Sequence, residues 1–231
     1  MTSTFQETRW SLVQQAKAAT PESRAALSDL CALYYSPVRA FVSAACSTGA
    51  ESADDLTHSF FESILQGRSL AAADPARGRF RTFLLGAVKH FLYAHSSRLR
   101  TLKRGGRSHH EPLHDAPDLA DPATLPPDAL FDRHWACTVL DHTLERLRQE
   151  QEAAGKADSW LILKPWLGGD ANHGDTAQAA AQLGISQTAV RVHLHRLRKR
   201  WREMLHAELS QTLSAGEDTA SEMRHLLGAL R

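Results

Sequence analysis

One stretch near the C-terminus, residues 187–205, constrains the fold of this chain most. Apolar side chains recur in it at spacings of four, three, four and four, at Val190, Leu194, Leu197, Trp201 and Leu205. That spacing predicts an α-helix with one buried side. Gly184 stands where the end of a preceding helix needs a residue that tolerates positive φ, and Ser186 supplies an oxygen that can cap the next helix. We therefore expect two helices separated by a three-residue turn.

The second of these helices is strongly basic, since no acidic residue occurs between Ser186 and Arg202. Two helices joined by a short glycine turn, the second one basic, are typical of a DNA-binding helix-turn-helix. The alternative is an ordinary helical hairpin with a solvated basic side. The agreement of turn, cap, periodicity and charge favours the helix-turn-helix. The side chains that we expect to meet DNA are Gln187, Thr188, Arg191, His195, Arg196 and Lys199.

Charge is segregated along the chain although the formal net charge is only +1. Residues 77–107 contain nine Lys or Arg and no acid, whereas residues 111–132 contain six acids and no Lys or Arg. The three cysteines are far apart, which argues for a reducing compartment and against a disulfide framework. No apolar stretch approaches membrane-spanning length, so we expect a cytoplasmic protein with no membrane partner.

Helical periodicity dominates the rest of the chain, which predicts an all-α fold. Pro37 is expected to begin a new helix, separate from the one that Pro21 opens. Residues 105–127 are rich in proline, aspartate and histidine and lack apolar periodicity, which is typical of a linker. The chain is therefore expected to form two small helical domains joined by a Pro/Asp-rich linker.

Two further stretches carry candidate binding residues. ADDLTHSFFESIL, residues 53–65, predicts an acidic helix capped by Ser52; acids in a first turn are also common in any helix. The segment that starts RFRTFLLGAVKHFL, residues 79–92, interleaves cations with aromatic rings. That combination suits single-stranded DNA, because phosphates attract cations and unpaired bases stack on rings.

All three stretches resemble a known family. LGISQTAVRVHLHRLRKRW is similar to region four of bacterial RNA polymerase sigma factors, and ADDLTHSFFESIL and RFRTFLLGAVKHFL are similar to region two. The chain as a whole resembles the extracytoplasmic-function type of the sigma-70 family. Gln178 and Ala179 replace the usual Glu and aliphatic residue of the first helix, and His58 and Ser59 stand where the family often has Gln-Glu.

The resemblance implies that successive segments of the chain have different functions. Residues 1–104 would dock on core RNA polymerase and open the −10 element, residues 105–127 would be the linker, residues 128–209 would bind the −35 element, and residues 210–231 would be a C-terminal extension. The polymerase-binding residues would be Asp54, Asp55, Leu56 and Phe61. The −10 residues would be Arg79, Arg81, Lys89, His90, Tyr93, His95 and Arg98. The partners implied are core RNA polymerase and promoter DNA, with an anti-sigma factor left open.

Two other classes of function fit the sequence less well. A stand-alone helix-turn-helix regulator would explain residues 170–205, but not the acidic helix or the basic-aromatic helix. An enzyme is disfavoured, because the sequence has no HExxH, nucleophile elbow, phosphate loop or Cys-His pair at ligand spacing. We therefore expect no catalytic residues, no metal site and no cofactor.

Overall fold

The structure is a computed structural model that describes residue 13 and residues 21–46, 52–66, 73–74, 78–103, 125–168, 173–211, 213 and 218–231. Every regular element within those ranges is helical, which confirms the all-α prediction. The α-helices are α1 (Pro21–Ala45), α2 (Ala53–Leu65), α3 (Phe80–Lys103), α4 (Pro127–Ala153), α5 (Ala157–Leu163), α6 (His173–Leu183), α7 (Gln187–Ser210) and α8 (Thr219–Ala229). A 3-10 turn, Lys164–Trp166, follows α5. None of the helices in these ranges is long and apolar enough to cross a membrane.

Pro37 does not begin a helix, contrary to the prediction. It lies inside α1, which continues from Pro21 to Ala45. Proline in a helix interior removes one backbone hydrogen bond and normally breaks or kinks the helix. Here the residues on both sides of it form one buried stripe, Leu30, Tyr34, Val38, Phe41 and Val42. Packing along that stripe outweighs the lost hydrogen bond, and a local rule about proline could not foresee it.

The described residues fall into two compact units. Unit 1 takes the described residues up to Ala136 together with those from Gln211 to Arg231, and unit 2 is Cys137–Ser210. The division lies inside α4, and the described C-terminal residues are grouped with unit 1. Most of the expected linker, residues 105–124, lies outside the described residues.

The core of unit 1 brings α1, α2 and α3 together through aromatic side chains. Tyr34 of α1 meets Phe80 of α3 edge to face, with ring centroids 5.2 Å apart. Phe60 of α2 contacts Phe91 of α3 in the same manner, at 5.6 Å. Leu84 and Val88 are also almost fully buried in this core. The apolar spacing of each helix thus predicts the side that it buries.

The core of unit 2 joins α4, α5, α6 and α7. Its buried members include Leu147, Trp160, Leu163, Ala179, Ala180, Val190, Leu194 and Leu197. Thr143 of α4 is fully buried, and its hydroxyl oxygen accepts a hydrogen bond of 3.0 Å from the indole N–H of Trp201 in α7. Gly155, with φ +69°, makes the turn between α4 and α5. These contacts fix the orientation of α7, the helix with the predicted DNA-binding residues.

Candidate nucleic-acid interface

The turn between α6 and α7 has the local structure that the sequence predicts. Gly184 follows the last residue of α6 and has φ +63°, a conformation that side chains with a Cβ rarely adopt. The Ser186 hydroxyl oxygen accepts a hydrogen bond of 3.1 Å from the backbone N–H of Ala189, and so caps α7. Both helix ends in this turn are therefore specified by single residues. The two helices form the helical pair expected of a helix-turn-helix.

All six residues predicted to bind DNA on α7 are exposed. The opposite side of the helix is buried through Val190, Leu194 and Leu197. Arg191, His195 and Lys199 follow each other at four-residue intervals, so they lie along one side of the helix. Gln187 and Thr188 lie in the first turn of the same helix. The N-terminal part of α7 thus presents polar and basic groups at the surface.

Arg196 lies on a different side of α7, about 140° around the axis from Arg191 at 100° per residue. With His193 and Arg200 it lines a groove of about 270 Å³. The ends of α4 and α5 supply the other wall, including Glu150, Lys156 and Ser159. The structure therefore separates Arg196 from the row formed by Arg191, His195 and Lys199.

Two cations of α7, Arg198 and Arg200, form hydrogen bonds to other residues of unit 2. Arg200 donates hydrogen bonds to both carboxylate oxygens of Glu150, at 2.7–3.0 Å, and these bonds raise the pKa of its guanidinium. Arg198 donates to the backbone oxygen of Trp166 at 2.7 Å. No ion pair among the described residues involves Arg191 or Lys199. The sequence could not distinguish these two classes of cation, because Glu150 and Trp166 are far from α7 in the chain.

The acidic helix α2 places its four predicted polymerase-binding residues in two environments. Leu56 and Phe61 are buried within unit 1. The Arg39 guanidinium hydrogen-bonds Asp54 and lowers the pKa of its carboxyl. Asp55 is exposed at the helix start, where it accepts a hydrogen bond of 2.8 Å from the Ser52 hydroxyl. Ser52 in turn caps the helix by accepting from the backbone N–H of Asp55 at 3.1 Å, as predicted.

The seven predicted −10 residues, which lie on α3 or just before it, also differ in exposure. Lys89, His90 and Tyr93 are exposed on one side of the helix, and Arg98 is exposed further along. The Lys89 ammonium makes a surface ion pair of 2.7 Å with Asp128. His95 is half-buried, with its ring stacked on that of Phe91 at a centroid distance of 6.1 Å.

Arg79 and Arg81, the first two of the seven, lie in a cluster of charged side chains. Both form ion pairs with Glu222 of α8, and Arg81 also pairs with Asp132 of α4. Arg81 is only 8% exposed and Glu222 is fully buried. We name Arg79, Arg81, Asp132 and Glu222 the Glu222 cluster. Sequence reasoning missed Glu222 and Asp132, because nothing local to α8 or α4 indicates a partner in α3.

The candidate site consists of exposed charged, polar and aromatic side chains on three helices. Within the described ranges no group of three His, Cys, Asp or Glu side chains is placed to hold a metal ion. The described residues present exposed cations and polar groups on α7, exposed carboxylates on α2 and an exposed aromatic ring on α3. No family model, curated protein or solved structure matches this chain.

Proposed function

We propose that this protein is an alternative sigma factor of the extracytoplasmic-function type. It binds core RNA polymerase, recognises promoter DNA and starts transcription, and it has no catalytic activity of its own. It acts in the cytoplasm and requires no cofactor. The proposal rests on the resemblance of three stretches of the sequence to sigma regions two and four.

The observation that carries the proposal is the side of α7 opposite its buried stripe. A residue at positive φ, a serine cap and a packed core orient this helix, and the exposed side holds Thr188, Arg191 and Lys199. Guanidinium and hydroxyl groups near the start of such a helix can read base edges in the major groove, while a cation further along suits the phosphate backbone. Unit 2 would therefore bind the duplex −35 element.

Unit 1 would supply the other two activities. Asp55, exposed at the start of α2, offers an ionised carboxylate to a basic partner surface, as the resemblance to region two implies for core polymerase. Tyr93, which is 42% exposed on α3, can stack on an unpaired base of the −10 element, with Lys89 and His90 beside it. The two elements of a promoter would thus be bound by separate units.

A stand-alone helix-turn-helix regulator is the second candidate, favoured by the completeness of unit 2. Its core is formed by α4, α5, α6 and α7 without any residue of α2 or α3. A regulator of that kind usually binds a palindromic duplex as a dimer. A sigma factor instead needs the polymerase for promoter opening. The oligomeric state of the DNA-bound chain therefore separates the two candidates.

The test is to mix the purified chain with core RNA polymerase, initiate transcription on genomic DNA and sequence the 5′ ends of the transcripts. We expect a stable complex and start sites that share −10 and −35 sequences absent from the starts made by core polymerase alone. No association with polymerase, together with dimeric binding to a palindromic duplex, would favour the stand-alone regulator. The sedimentation of the chain with each DNA gives the second readout.

A further inference from the structure

The C-terminal helix α8 occupies two arginines that the sequence assigns to DNA. One carboxylate oxygen of Glu222 lies 2.6 Å from a terminal nitrogen of Arg79. Its other oxygen accepts a hydrogen bond of 2.9 Å from Nε of Arg81. The carboxylate is fully buried, so it is shielded from water and held by both guanidinium groups.

Other contacts hold α8 in this position. Asp132 accepts a hydrogen bond of 2.6 Å from Arg81 and also lies 3.1 Å from the His225 ring of α8. The Arg81 guanidinium lies over the Trp135 ring at 4.9 Å from its centroid. Leu226 of α8 is fully buried. The helix is thus fixed by one apolar side chain and by a network of opposite charges.

We propose that α8 is an intramolecular inhibitor of single-stranded DNA binding, with Glu222 occupying the place of a DNA phosphate on Arg79 and Arg81. The inference rests on the proposed function, because it takes these two arginines as part of the −10 surface. Carboxylate and phosphate oxygens both accept charge-assisted hydrogen bonds from arginine, and Glu222 offers one oxygen to each of the two guanidinium groups. An arginine pair that holds a buried carboxylate cannot bind a phosphate at the same time. Release of α8 then removes the Glu222 carboxylate from both guanidinium groups, and Arg81 keeps Asp132 of α4 as an acidic neighbour.

The charges of the Glu222 cluster lower the energetic cost of such release. Burying an ion pair removes both partners from water, and the desolvation penalty can equal or exceed their mutual attraction. A docked helix held in this way is less firmly bound than its number of ion pairs suggests. A polyanion that offers phosphates to the same arginines can therefore compete with Glu222.

The experiment uses the full-length chain bound to core RNA polymerase and a labelled single-stranded oligonucleotide rich in adenine and thymine. We compare the wild type with Glu222→Ala and Glu222→Gln. Asp218→Asn is the matched control, because it removes one negative charge from α8 while asparagine can still cap the helix. We expect the Glu222 variants to bind the oligonucleotide about tenfold more tightly and the control to bind like the wild type. Each of the two arginines that a phosphate then contacts should also steepen the salt dependence by roughly 0.7, the value for a phosphate contact on a single strand, so both together would add about 1.4.

Unchanged or weaker binding by folded Glu222 variants would overturn the inference and make α8 a permanent part of unit 1. Hydrogen exchange of the wild-type chain gives a readout that needs no variant. Adding the oligonucleotide should speed amide exchange in α8 if the DNA displaces it, and unchanged or slower exchange there would also overturn the inference. Failure of the wild type to assemble with polymerase would refute the proposed function instead, while exchange on the chain alone still tests α8.

Discussion

The same substitution, glycine to alanine, should have opposite effects on stability at two positions of this chain. Gly184 lies in the turn between α6 and α7 with φ +63°, whereas Gly86 lies inside α3 and has no positive φ. An ideal Cβ at either position meets no atom within 4 Å. Steric overlap therefore contributes nothing at either site. The backbone conformation alone decides the sign.

The magnitudes follow from the backbone. An L-residue with a Cβ in the left-handed region costs about 1–2 kcal/mol, so Gly184→Ala should lower the free energy of unfolding of unit 2 by that amount. Alanine in a helix interior is better than glycine by about 0.5–1 kcal/mol, so Gly86→Ala should stabilise unit 1. The two variants should thus differ by about 1.5–3 kcal/mol. Gly155, with φ +69°, offers a second test of the destabilising case.

Thermal unfolding of the full-length variants measures both effects, and native-state hydrogen exchange assigns each one to its unit. A change of 1 kcal/mol shifts the midpoint by roughly 4–8 °C for a unit the size of unit 2 and by roughly 2–4 °C for one the size of unit 1. Gly184→Ala should lower the midpoint and speed exchange in α6 and α7. Gly86→Ala should slow exchange in α3. A Gly184→Ala variant as stable as the wild type would refute the argument from φ.

Four further outcomes are expected. Asp55→Arg should abolish co-purification with core RNA polymerase. Glu62→Arg, which reverses the charge of another exposed residue on the same helix, should leave it intact. Equal loss of co-purification in both variants would indicate a general charge effect. Arg191→Ala should relax the preference at one −35 base pair. Lys199→Ala should weaken binding to all sequences alike and make the salt slope shallower by about one. Identical binding profiles of the two variants against single-base substitutions would contradict this. Burial raises the pKa of the Cys31 thiol to about 11, so that at pH 8 only about one Cys31 in a thousand is a thiolate. Iodoacetamide at that pH should therefore label exposed Cys137 long before Cys31. Similar labelling rates for the two cysteines would contradict this expectation. Gly228→Ala should stabilise α8 and weaken binding to single-stranded DNA, which is the opposite of the effect of Glu222→Ala. Tighter binding by Gly228→Ala would contradict the link between the stability of α8 and DNA binding.

Local features of the fold could be read from the sequence because their causes are local. The glycine at positive φ, the caps by Ser52 and Ser186, and the buried side of each helix all depend on residues within a few positions. Pro37 shows the limit of such rules. The rule that proline starts or breaks a helix holds only where tertiary packing does not override it, and the buried stripe of α1 overrides it.

Partners of charged side chains could not be read in the same way. Arg81 and Glu222 are 141 positions apart, and nothing around either residue indicates the other. A basic stretch between aromatic residues is equally compatible with an external polyanion and with a buried internal acid. The exposed positions on α7 were predictable, because the apolar stripe defines the opposite side of the helix. The division of Arg196 from Arg191 required the groove that α4 and α5 form with α7.

The length of α8 determines what its release would involve. Helices shorter than about 12–15 residues are marginal in water without tertiary contacts, and α8 has 11 residues, one of them glycine. Its N-cap, in which Asp218 accepts from the backbone N–H groups of Ala220 and Ser221, contributes only about 1 kcal/mol. The helix therefore exists because Glu222 and Leu226 are docked, and undocking should melt it. Because docking and helix formation are one cooperative step, a strand of DNA that takes Arg79 and Arg81 from Glu222 would remove the main support of the whole helix.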